Sequence, residues 1–207
     1  VLGKDQLGGL PESLVQSYKA AADERKVAGW LVVNTRSAVD PFLTFSDERS
    51  VREKVWRAFV ERGNHGDKND TNGLITEIVK LRAERAGLLG FASHAHWRMS
   101  DTMAKEPKAA EKLMMRVWPA AVARVKQEVA DMQKLATKLG HKLTVEPWDY
   151  RFYMEKVRKE RYDLDQNEFK QYFELENMIQ ASYFMAGKLY GYAFEEVSGT
   201  LPVFHPD

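Results

Sequence analysis

The side chains best suited to metal chemistry in this chain are five histidines, His65, His94, His96, His141 and His205, because it contains no cysteine. A catalytic zinc takes three nitrogen or oxygen ligands from the protein and keeps one position open. On a helix, two histidines must stand four apart to share a face, with a glutamate between them free to act as base. Only His94 and His96 are close, and they are two apart. That spacing separates them by about 200° on a helix, whereas extended backbone would bring them to one side. The flanking Ala92, Ser93, Ala95 and Trp97 predict a short helix, so no metal-ligand set is expected within these residues.

Other chemistries are no better supplied. Ser93 beside His94 lacks a third group to orient the base. The carboxylate pairs Glu195/Glu196 and Asp163/Asp165 are expected to be solvated. His205, between Phe204 and Pro206, is expected at a strand end with a structural hydrogen bond. No glycine loop of either common phosphate-binding pattern occurs. Lys156, Arg158, Lys159 and Arg161 alternate with Glu155 and Glu160, which reads as a salt-bridged helix face and not a nucleic-acid patch. No catalytic and no cofactor-binding residue is therefore assigned from the residues themselves.

Composition agrees. Across 207 residues, 31 Lys and Arg balance 30 Asp and Glu, leaving a net charge of +1 and no global pull toward nucleic acid. No apolar run approaches the roughly 20 residues that span a bilayer. Absence of cysteine does not fix the compartment. The expected location is the cytoplasm, with the periplasm left open.

The elements that would carry these groups are mostly helical by pattern. Pro11 and Glu12 suit a first helical turn, followed by Leu14, Val15 and Tyr18. Gly29 breaks that helix, and 30–33 reads as a short strand. Ser37 to Pro41 reads as a turn, and Ser46 as the N-cap of a helix carrying Val51, Val55, Phe59 and Val60 and closed by Gly63. A polar loop over 63–73 precedes a helix from Leu74 to Leu89, stopped by Gly90. The longest pattern runs from about Pro107 to Leu139, with Pro119 expected to kink or split it. Pro147 is expected to start the next helix, and Asp165 with Glu168 resembles a capping box. Met178, Ile179, Ser182, Ala186, Leu189 and Tyr190 make a helical stripe ended by Gly191. The segments 194–197 and 201–204 read as strand. The expected fold class is mainly α: an elongated multi-helix body with a few short strands, one segment over 1–207 with a possible subdivision near 90–105.

Aromatic residues crowd the region from Trp148 to Tyr192. They suit helix packing, with hydroxyls bonded at the rim, or a wall that holds an extended peptide. Glu146-Pro147-Trp148-Asp149, then Tyr153, Lys156 and Tyr162, then Tyr172-Phe173-Glu174-Leu175, Leu189-Tyr190-Gly191 and Pro202-Val203-Phe204-His205-Pro206-Asp207 follow one another here. Upstream come Gly9-Leu10-Pro11-Glu12, Gly29-Trp30, Pro41-Phe42-Leu43-Thr44-Phe45, Arg62-Gly63, Asn69-Asp70, Leu88-Leu89-Gly90-Phe91 and Met103-Ala104-Lys105. This ordered set resembles the thimet-oligopeptidase-like zinc metallopeptidases, and among them the bacterial peptidyl-dipeptidases.

The resemblance implies part of a two-lobed, neurolysin-like helical shell with a deep channel. It also implies zinc in the parent enzyme, short peptides as substrates and release of C-terminal dipeptides by zinc-activated water. The family's His-Glu-x-x-His is absent from this sequence, so no ligand or catalytic residue can be carried over. The expectation is a central fragment that is inactive by itself and binds no zinc. It would bind neither nucleic acid nor membrane, and would be prone to self-association through an uncovered face. Tyr172, Glu174 and Asn177, at the start of the last long helix, are the candidate cleft-facing residues. The alternative is a free-standing helical peptide-binding module.

Overall fold

The computed structural model describes residues 1–163 and 172–204. Among them are eight α-helices: α1 (Glu12–Glu24), α2 (Arg36–Phe45), α3 (Arg49–Val60), α4 (Asn72–Leu88), α5 (His94–Met99), α6 (Pro107–Lys138), α7 (Tyr150–Tyr162) and α8 (Leu175–Tyr190). A 3₁₀ turn, Lys4–Gln6, precedes them. The chain forms two compact units, Val1–Arg161 and Tyr162–Asp207. The mainly α expectation holds.

The strands do not form among the described residues. The segment 30–33 contributes a single antiparallel bridge, in which Leu2 N–H donates to Trp30 O at 2.7 Å and Trp30 N–H to Leu2 O at 3.2 Å. The next amide, Leu31, turns away to Tyr18 O. Without a continuing partner, β-propensity has no ladder to join. Gly29 makes this bridge possible. Its φ is +94°, and a Cβ there would meet Leu2 O at 2.5 Å. The segments 194–197 and 201–204 are likewise irregular.

The first unit has two apolar centres. One gathers Leu2, Tyr18, Val39, Phe42, Leu43 and Val51 from the N-terminus and α1 to α3. The second gathers Met132 and Ala136 of α6 with Phe152 and Tyr153 of α7. The predicted turn at 37–41 is instead the first half of α2, with Pro41 inside the helix. Burial of Val39, Phe42 and Leu43 outweighs the hydrogen bond that Pro41 cannot donate. Ser46 does not cap α3. It ends α2, is fully buried, and its Oγ accepts the Glu48 N–H at 3.3 Å.

α6 runs 32 residues, about 48 Å at 1.5 Å per residue, and continues through Pro119 without splitting. Its buried residues, Met132, Leu135 and Ala136, all lie near its C-terminal end. α7 begins at Tyr150 and not at Pro147, after a turn that places Asp149. α8 ends as expected, with Gly191 in the left-handed conformation at φ +72°. The predicted capping box at Asp165 and Glu168, and His205, lie outside the described residues.

Candidate functional site

The histidines do not assemble. Among the described residues no three His, Cys, Asp or Glu side chains are placed to hold a metal ion. His94 and His96 open the short helix α5, as their neighbours predicted. The His96 ring bonds Ser93 Oγ through Nδ1 at 2.8 Å, and Ser93 also caps the helix. His141 Nδ1 pairs with the hydroxyl of Tyr153 at 2.8 Å, a contact that holds the loop after α6 onto α7. The donor set among the described residues does not fit a catalytic zinc.

In the second unit, Tyr172 and Glu174 lie just before α8 and Asn177 in its first turn. Glu174 occupies the N-cap position, and Asn177 Nδ2 donates to Glu174 Oε2 at 3.3 Å. All three are exposed. A concavity of about 560 Å³ runs beside the neighbouring face of α8, lined by Glu176, Ile179, Gln180 and Tyr183 and by the 194–198 segment. Phe194 stacks on Tyr183 with ring centroids 4.6 Å apart. Glu176, Ile179, Gln180 and Tyr183 follow i, i+3, i+4, i+7 spacing and so share one face. Glu174 and Asn177 lie outside this lining.

The most heavily bonded polar cluster was not singled out by the sequence reading. Asp149 is fully buried, and its carboxylate is held by two arginines from α3. Arg49 reaches it through Nε and Nη2, at 3.0 and 2.9 Å to Oδ2. Arg52 reaches Oδ1 through Nη2 at 2.8 Å. Arg52, itself buried, also donates to Ser46 O at 2.7 Å and lies over the Phe152 ring at 4.1 Å. The Glu146 N–H completes the carboxylate's shell at 3.2 Å. The bond to Asp149 pushes the Arg49 guanidinium further above its ordinary pKa.

This cluster joins the two apolar centres, since α3 belongs to one and α7 to the other. Arg151 adds a bond from α7 to Asp40 of α2 at 2.9 Å. Trp148 packs edge-on against Trp56 of α3 at 5.7 Å. The Pro147-Trp148-Asp149 sequence is therefore a structural clamp. It fixes the entry of α7, and the Asp149 carboxylate at its centre is fully buried. The signal available in advance was the spacing of Arg49 and Arg52, which puts both on one face of α3. Their partner lies 97 to 100 residues away and could not be read from it.

The profile of Peptidase family M3 matches residues 42–207. A dipeptidyl carboxypeptidase of Escherichia coli (strain K12) is 37% identical over 204 residues, covering 98% of this chain and 30% of its own length. An organellar oligopeptidase A, chloroplastic/mitochondrial, of Arabidopsis thaliana is 30% identical over 219 residues, covering all of this chain and 27% of its own length. Oligopeptidase A of Escherichia coli is 26% identical over 211 residues, covering 31% of its own length. The chain thus spans about 30% of the length of these relatives. With the match extending from the second helix to the last residue, the chain belongs to Peptidase family M3.

Proposed function

We propose that this chain is a helical scaffold segment of a longer zinc-dependent M3 peptidase acting on short peptides, with release of C-terminal dipeptides as its activity. By itself it would be inactive. The observation that carries this reading is the pairing of a family match over 42–207 with a span of about 30% of the relatives' length. The surface supports it. α4 exposes Leu74, Ile75, Ile78, Val79 and Leu81, and the first half of α6 exposes Leu113, Met114, Met115, Val117 and Trp118. Apolar faces of this extent are normally covered by other structure. In the isolated chain the same faces would favour self-association.

Within such an enzyme, α8 and the groove beside it would form part of a peptide-binding wall. Tyr172, Glu174 and Asn177 would stand at its rim. The stacked Tyr183 and Phe194 also favour a second reading, a free-standing helical module that binds peptides through this groove. The uncovered α4 and α6 faces weigh against it, because a self-sufficient module would bury them.

The test is to extend the source reading frame and assay both products. The longer protein should bind one zinc per chain and release C-terminal dipeptides from a short peptide, read by mass spectrometry. The 207-residue chain should do neither, and light scattering should show it pairing. A longer protein with no peptidase activity, or a stoichiometric zinc on the chain alone, would refute the reading. A monomeric, inactive chain that binds peptides would favour the module.

A further inference from the structure

The corner between α4 and α5 carries charge where the helix pattern calls for apolar cover. At about 100° per residue, the apolar residues of α4 occupy an arc roughly 180° wide. Arg82 and Arg85 fall inside that arc, Arg85 between Leu81 and Ile78 and Arg82 between Leu89 and Ile75. Ala86, on the same side, is the buried residue of α4. From α5, Trp97 faces this corner. The Arg85 guanidinium lies 4.3 Å from the Trp97 ring centroid, and that of Arg98 lies 5.4 Å from it. The His94 ring lies 5.5 Å from Trp97, with its Nδ1 buried and without a partner.

Among the described residues, Arg82, Arg85 and Arg98 make no side-chain hydrogen bond or ion pair, in contrast to Arg49, Arg52, Arg57 and Arg124. Burial, and then the three arginines, hold the His94 pKa below its ordinary value. A guanidinium beside an indole ring keeps its fork of N–H donors, and that fork matches the geometry of an oxyanion. Arg85 and Arg98 share one indole, and with Arg82 they leave positive charge without an ion-pair partner beside the apolar face of α4.

We propose that the α4–α5 corner is an oxyanion-binding site, in which the Arg85 guanidinium, stacked on Trp97, binds the anion and Arg98 and Arg82 add charge beside it. The ligand class is a carboxylate or a phosphate, which present the same acceptor oxygens to the arginines.

The test uses the 207-residue chain, isotopically labelled, at constant ionic strength maintained with chloride. The arginine Nε–H resonances of Arg82, Arg85 and Arg98 and the ring C–H resonances of His94 are followed while N-acetylglycinate is titrated, and separately inorganic phosphate. A saturable shift at Arg85 and Arg98 with either anion, and a rise in the His94 pKa on saturation, is the expected result. Saturation by N-acetylglycinate alone assigns a carboxylate, and by phosphate alone a phosphate. R85Q and R98Q should each weaken binding at least about fivefold. R85K, which keeps the charge and loses the fork, should also weaken it. R36Q, at an arginine paired with Asp40 on α2, should leave the affinity unchanged. Shifts that stay linear with both anions, or that chloride alone reproduces, would overturn the site. So would R85Q and R98Q variants that keep native circular dichroism and bind as tightly as the parent.

Discussion

α2 and α4 carry similar side chains and meet opposite fates. α2 buries Val39, Phe42 and Leu43 against α1 and α3 and sustains a proline within the helix. α4 is longer and richer in Leu, Ile and Val, yet it buries only Ala86. Arginines show the same division. Arg52 is enclosed and bonded to Asp149, while Arg85 is exposed and ungripped. The difference teaches that α1 to α3, with α7 and the end of α6, bury apolar residues against one another. α4 and the first half of α6 leave theirs exposed.

The largest test of that contrast is Asp149→Ala. It would leave Arg52 buried without its anion, and should cost about 3–5 kcal/mol of stability in urea denaturation. A loss below about 1 kcal/mol would mean that the clamp does not join the two apolar centres. Next comes Leu43→Ala, which opens a cavity in the first centre and should cost about 2–5 kcal/mol. Tyr18→Phe is smaller. It removes the bond from the Tyr18 hydroxyl to Ala38 O, 2.8 Å long, and should cost about 0.5–1.5 kcal/mol near neutral pH.

Tyr18 also gives a sign in alkali. Burial raises its pKa above the ordinary 10.0, so the unfolded state loses this proton first. Stability should then fall as pH rises past that value, and Tyr18→Phe should flatten the fall. Parallel alkaline unfolding curves for both proteins would count against a buried neutral hydroxyl. The smallest effect is expected at Ile78→Ala on α4, within about 0.5 kcal/mol in this chain. A loss there as large as at Leu43 would erase the comparison between the two helices.

Much of the helical order was legible from the residues. The pattern from Leu74 to Leu89, the stripe of α8 and its Gly191 stop, and the short helix at His94 are local, and each depends on neighbours within about four positions. The misreadings were of a different kind. Ser37 to Pro41 carries turn residues, but the burial of Val39, Phe42 and Leu43 makes it helix. The run at 30–33 has strand residues, but only Leu2 arrives to pair with it. Tyr172, Glu174 and Asn177 lie at the start of α8, and the groove beside α8 is lined by Glu176, Ile179, Gln180 and Tyr183.

The sequence by itself determined the family resemblance and the helical class, because these depend on residue types in order and at short spacing. Tertiary structure alone decided that the Pro147-Trp148-Asp149 turn is a clamp for Arg49 and Arg52, and that Arg85 and Arg98 meet across one indole ring. Pairings of that kind join residues distant in the chain or on different helices. The free energy of burying a charge depends on which partner arrives, and no local pattern records it.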